Sequence, residues 1–135
     1  MARELGLAPA DFGQMFRRIV FNVMGANRDD HTKNFSFLLR EGGSWQLAPA
    51  YDVSHSIWDG EWTQNHQMSV NGRFDGITLD DLRALADSNG VPAIETSIRE
   101  VSAAIDAWPE FASIAGVDQE TIDKIAGDIS DLRPR

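Results

Sequence analysis

Asn27-Arg28-Asp29-Asp30-His31-Thr32-Lys33-Asn34, with Ala50-Tyr51-Asp52 as a later partner, is the stretch from which the rest of the chain is best read. It concentrates acids, asparagines, a histidine and a lysine at the point where an apolar helical pattern ends and a hairpin pattern begins. Upstream, Phe12, Met15, Phe16, Ile19, Val20, Val23 and Met24 recur at the spacing of a helix with one apolar face. Asp11 is the expected N-cap of that helix and Gly25 its expected stop. Downstream, residues 34–40 and 45–48 are rich in β formers and are separated by Glu41-Gly42-Gly43-Ser44, which predicts an antiparallel hairpin. Pro49 has no N–H to give to a ladder, so it ends the second strand and leaves Asp52 just past that strand.

Residues 53–76 show no sustained period, apart from a short strand expected around Gln67 to Val70, and are expected to form a long loop over a site. Thr78-Leu79-Asp80-Asp81 has the form of a helix start with an acid near the third position. Leu79, Leu82, Leu85 and Ala86 supply the apolar face of that helix and Gly90 its end. Pro92 is expected to open the next helix, with Ile94, Ile98, Val101, Ile105 and Trp108 inward until Pro109. A turn is expected over 110–115, and then a last helix capped by Asp118 with Ile122, Ile125, Ile129 and Leu132 inward. The order of helix, hairpin, loop and helices predicts a mainly α (α+β) fold, a helical bundle with one small antiparallel element, rather than an alternating βαβ fold.

The 135 residues have the length of one domain, and 42% of them are apolar, enough for a core. Twelve Lys and Arg against 21 Asp and Glu give a formal charge of -9, which repels phosphate backbones and anionic membranes. Direct nucleic-acid binding and membrane association are therefore not expected. There is no cysteine, hence no disulfide framework or zinc-finger spacing, and no run of transmembrane length, so a cytoplasmic setting is expected.

Asp29 and Asn34 stand five residues apart, and Asp52 follows the hairpin. Phosphoryl transfer from ATP asks a protein for positioning and charge neutralisation: a carboxylate to orient the attacking hydroxyl, and hard oxygen ligands for Mg2+. Protein kinases place a base Asp and a metal-binding Asn at that same separation, with a second metal-binding Asp further on. Lys33 adds a compact positive charge suited to the transferred phosphoryl group. Taken alone, such a cluster at a helix end also fits a capping and turn network. The same acids with water as acceptor would serve a Mg2+-dependent phosphohydrolase.

Phe21-Asn22-Val23-Met24-Gly25-Ala26-Asn27-Arg28-Asp29-Asp30-His31-Thr32-Lys33-Asn34-Phe35-Ser36, then Leu47-Ala48-Pro49-Ala50-Tyr51-Asp52, resembles the C-terminal lobe of HipA-like serine/threonine kinases. These kinases are the toxins of a bacterial toxin-antitoxin system, and their signature is Asp-(Gly or Asp)-His-x-Lys-Asn-Phe-Ser, a hairpin, then Pro-x-Tyr-Asp. The resemblance is specific over residues 16–54. It implies a kinase-like C-lobe over 1–135, with a hairpin that carries the catalytic loop and the metal-binding Asp. Asp29 is implied as catalytic base, Asn34 and Asp52 as Mg2+ and ATP-site ligands, and His31 and Lys33 as supporting residues of the loop. Implied partners are a small helix-turn-helix antitoxin, which would make the DNA contacts, and a protein substrate of the translation machinery.

The nucleotide-covering N-terminal lobe of that family has no counterpart in this sequence, so a missing lobe is a further expected partner and the isolated chain is expected to be a poor kinase. A contrasting reading keeps the fold but not the chemistry: a pseudokinase that acts as a protein-binding module. Asp30 is expected to be exposed or a cap, and His31 to bond the loop backbone. His55 and His66 are expected at the surface, and Trp58 and Trp62 packed or on a partner surface. The acids Asp75, Asp80, Asp81 and Asp87 are expected to be solvated or capping.

Overall fold

The computed structural model describes residues 1–57 and 63–134, with backbone only at 130–132. Five helices and one hairpin follow in the order α1 (Pro9–Met24), a 3-10 turn (Thr32–Asn34), β1 (Phe37–Leu39), β2 (Trp45–Leu47), α2 (Leu79–Asn89), α3 (Ile94–Asp106), α4 (Trp108–Ile114) and α5 (Gln119–Leu132). This is the mainly α architecture with a small antiparallel element that the sequence pattern predicts. Trp58 and Trp62 lie outside the described residues, as does the side chain of Leu132.

The core lies where α1 crosses α3. Phe16, Val20, Val23 and Met24 meet Ile98, Val101 and Ile105, with Val70 and Ile77, then Leu82 and Ala86 of α2, and Ile129 of α5 joining the cluster. Close approach at the end of α1 requires Gly25. A Cβ there would come within 2.9 Å of the Phe21 carbonyl oxygen and 3.2 Å of the Ile105 side chain.

Helix α1 begins earlier than its apolar pattern does. Pro9 opens it, because a first-turn residue needs no N–H partner, and Asp11 is at the third helical position rather than the cap. Its carboxylate accepts from the Ala8 N–H at 3.3 Å and from the Leu47 N–H at 3.4 Å, which ties the hairpin to the helix. The strands pair Phe37 with Leu47, Leu38 with Gln46 and Leu39 with Trp45, a shorter ladder than the β-rich runs suggest. In place of a strand at 67–70 there is a single bridge between Val70 and Arg73.

Two helix boundaries also differ from the sequence expectation. Helix α3 starts at Ile94, after Ala93 in a left-handed conformation (φ 53). The expected turn over 110–115 is helix α4, in which Pro109 occupies the first turn. Proline breaks a helix interior but suits its first turn, so Pro109 initiates where it was expected to terminate.

Helix α2 carries its predicted signals intact. Thr78 caps it and exchanges hydrogen bonds with Asp81, and Gly90 ends it in the left-handed conformation. Hydrogen bonds from Asn71 and then from Thr78 hold the Asp81 carboxyl at about 2, below its ordinary value. A carboxylate depressed on folding contributes stability above its unfolded pKa and loses it as pH falls through its folded one. Urea unfolding of the wild-type chain should therefore show stability declining from about pH 4 towards pH 2, more steeply than in Asp81→Asn. Parallel pH profiles for the two chains would remove this carboxylate from the acid limb.

Candidate functional site

The polar loop is built on one buried asparagine. Ala26 turns the chain out of α1 with a positive φ of 54, and Asn27 then points inward, 2% exposed. Its backbone N–H donates to the Asn22 carbonyl at 2.9 Å, and its Nδ2 donates to Asn22 Oδ1 at 3.0 Å and to the Asp52 carbonyl at 3.4 Å. Its Oδ1 accepts from Ser56 Oγ at 3.1 Å, and Ser56 Oγ in turn accepts the Asp29 N–H at 2.9 Å. One side chain thus holds the backbones of Asp29 and Asp52, 23 positions apart in sequence, to a common anchor.

Other bonds complete the frame. Asn34 Nδ2 donates to the Asp29 carbonyl at 3.0 Å, closing the loop on itself. The Tyr51 hydroxyl donates to the Lys33 carbonyl at 2.5 Å and lies 2.5 Å from Ser36 Oγ, binding the segment before Asp52 to the loop. Arg18 of α1 donates to the Ala48 carbonyl at 2.6 Å, and burial lowers its pKa from the ordinary arginine value. Asp52 itself has a left-handed backbone (φ 53), a conformation that costs a non-glycine residue free energy and persists only when its surroundings enforce it.

This frame brings Asp29, His31 and Asp52 together. A carboxylate oxygen from each acid and a ring nitrogen of His31 lie within 4.8 Å of one another. Both acids are exposed, and His31 and Asn34 are half-buried beside them. The Nδ1 of His31 is buried without a hydrogen-bond partner, so the expected bond from this ring to the loop backbone is not made through that nitrogen. Lys33 is exposed and enters the frame through its carbonyl. Two carboxylates and an imidazole nitrogen lying this close together make a donor set suited to a divalent cation.

Asp30, His66 and His55 depart from their expected places. Asp30 is 3% exposed: its Oδ2 lies 3.0 Å from His66 Nδ1, and its Oδ1 accepts the N–H groups of Gln67 at 2.7 Å and Met68 at 3.3 Å. His66 is correspondingly buried, not at the surface. Arg28, on the other side of Asp29, donates to the Thr63 carbonyl at 3.2 Å and also to that of Gln64. Residues 63–68 are therefore clamped from both flanks of Asp29. His55 is also largely enclosed, with Nε2 3.3 Å from Asp128 Oδ2, and burial lowers its pKa against the opposing pull of that carboxylate. Asp75, Asp80 and Asp87 are exposed as expected, while Asp81 caps α2.

Sequence reasoning gave no role to Asn27, Ser56 or His66. Asn27 and Tyr51 lie inside the quoted motifs and could have been found there. Ser56 and His66 lie in an irregular segment that carries no periodic signal.

A family model described as the HipA-like C-terminal domain matches residues 1–109. Among curated proteins, "Putative kinase Y4dM" of Sinorhizobium fredii is 32% identical over 90 residues. The matched stretch covers 64% of this chain and 22% of that protein, so the chain spans well under two thirds of its relative's length.

Proposed function

The chain belongs to the HipA-like C-terminal domain family, and from that premise we propose that it is the catalytic lobe of a protein serine/threonine kinase that uses Mg2+ and ATP. The observation that carries this reading is the convergence of Asp29, His31 and Asp52 donors within 4.8 Å, with Asn34 bonded to the Asp29 backbone. Asp29 is the base: it takes the proton of a serine or threonine hydroxyl as that oxygen bonds to the γ-phosphorus and the bond to ADP breaks. Asn34 and Asp52 would hold the cation through their side-chain oxygens, and the cation would offset the negative charge of the phosphates. Lys33, exposed in the same loop, would offset charge on the transferred phosphoryl group, and His31 supports the loop.

In this reading the chain is part of a toxin, restrained by a helix-turn-helix antitoxin and directed at a protein of the translation machinery. A net charge of -9 fits a division of labour in which DNA contact belongs to the antitoxin. Among the described residues no helix is long and apolar enough to cross a membrane, which is consistent with a cytoplasmic site of action.

Titration calorimetry of Mg2+ with ADP tests the metal half of this site. The intact chain should bind, and Asp52→Ala should weaken binding by at least about tenfold, since it removes the charged ligand. Equal binding by the two chains, or none at millimolar nucleotide, would favour a protein-binding module that keeps the fold without the chemistry.

A further inference from the structure

We propose that a cavity at the C-terminal end of α1 is a binding site for an uncharged aromatic molecule of one or two rings that carries a hydroxyl group. The cavity has a volume of about 470 Å3, and the end of α1, residues 53–55, α3, α4 and α5 all contribute to its walls. Phe21, Trp108 and Phe111 give it aromatic walls, and Ile105 and Ile129, both buried, also line it. None of Asp29, His31, Asn34 and Asp52 lines it, so it is separate from the site described above.

Size and enclosure point to a small molecule and not to a protein partner. Ligand cavities run from about 300 to 1,000 Å3, and their walls are mostly apolar with a few placed polar groups. Here four helices and a loop surround one hollow, whereas a partner protein is recognised over a broad patch of roughly 800 Å2 per side. Among the described residues no Lys, Arg, Asp or Glu lines the cavity, and an ion moved between such walls would be poorly solvated. The ligand is therefore uncharged.

Polar atoms at one side of the cavity set the rest of the chemistry. His55 Nε2, Trp108 Nε1 and Asp128 Oδ2 are buried and make no hydrogen bond among the described residues. His55 and Trp108 line the cavity, and Asp128 Oδ2 stands 3.3 Å from His55 Nε2 without the alignment of a hydrogen bond. Polar atoms buried without partners cost free energy, which a ligand that satisfies them recovers. The carboxylate oxygen only accepts and the indole nitrogen only donates, while burial holds His55 towards its neutral form. A hydroxyl group both donates and accepts, so it can serve either kind of atom, and an aromatic ring suits the aromatic walls.

The probe is p-cresol, and the control is p-xylene, which has a methyl group in place of the hydroxyl. In NMR titrations of the full chain, p-cresol should shift the ring resonances of His55 and the indole N–H of Trp108, and should bind at least about fivefold more tightly than p-xylene. Ala104 lines the cavity and is exposed on α3, so Ala104→Phe should fold and fill part of the hollow, weakening p-cresol at least about tenfold. No binding at millimolar p-cresol, equal affinity for the two probes, unchanged affinity in Ala104→Phe, or shifts confined to residues outside the cavity would each overturn the proposal. So would a cavity covered by a second copy of the chain, seen as dimerisation in sedimentation velocity that p-cresol does not reverse. The wild-type titration needs no variant to fold, and none of these outcomes bears on the Mg2+ and ADP titration.

Discussion

Asp30→Ala should lower the stability of this chain by about 3 kcal/mol, a fall of roughly 10 °C in Tm for a chain of this size. The carboxylate is 3% exposed and serves three groups at once: the His66 ring and the N–H groups of Gln67 and Met68. Alanine removes all three acceptor contacts and takes this partner from two backbone donors and a buried imidazole. Unsatisfied buried donors each cost about 1–3 kcal/mol, partly recovered where the segment can rise to meet water. Asp30→Asn keeps one acceptor oxygen, and its cost should be about half that of alanine. Urea denaturation of the three chains measures both numbers. A loss below about 1 kcal/mol for alanine would mean that residues 63–68 are held from elsewhere, with Arg28 the first alternative.

That buried pair marks the limit of what one sequence can disclose. Helices α1, α2 and α5 were legible because their signals are local: apolar residues at helical spacing, Thr78 three residues before Asp81, Asp118 three before Thr121. Helix α4 was not, because Pro109 reads equally as a stop or as a first-turn residue, and only packing decides between them. The spacing of Asp29, Asn34 and Asp52 was legible for the same reason as the helices, since a motif is also a local pattern.

The pairing of Asp30 with His66 spans 36 positions and joins a loop to an irregular segment. Neither residue has a periodicity that announces burial, and charged residues are seldom buried unless paired. Exposure was the sensible expectation for each residue alone and fails only because the other is present. The same holds for Asn27, which looks like one more polar residue of a polar loop until its partners Asn22, Asp52 and Ser56 are in place.

Asn27→Ala is the second large effect, and it should appear in two measurements at once. The side chain is 2% exposed, and its loss leaves Asn22 Oδ1, the Asp52 carbonyl and the Ser56 hydroxyl short of a partner inside the protein. A stability loss of about 2–4 kcal/mol is expected, which a domain of ordinary stability survives. Stability alone would not separate this residue from any other buried polar group. The distinguishing effect lies in metal affinity, because Asp52 holds a left-handed backbone that its neighbours must enforce.

With the Asn27 anchor gone, Asp52 can relax to an ordinary conformation and swing its carboxylate away from Asp29 and His31. Mg2+ affinity should then fall about tenfold or more at temperatures where the variant is still folded, although Asn27 touches no ion. Ser56→Ala separates the two strands of the anchor. It cuts the link to the Asp29 N–H and leaves the contact from Asn27 to Asp52, so it should cost about 1 kcal/mol and weaken binding less. An Asn27→Ala chain that is destabilised yet binds Mg2+ at wild-type strength would show that Asp52 is placed by the hairpin and Tyr51 instead, and that the buried asparagine serves the fold without shaping the site.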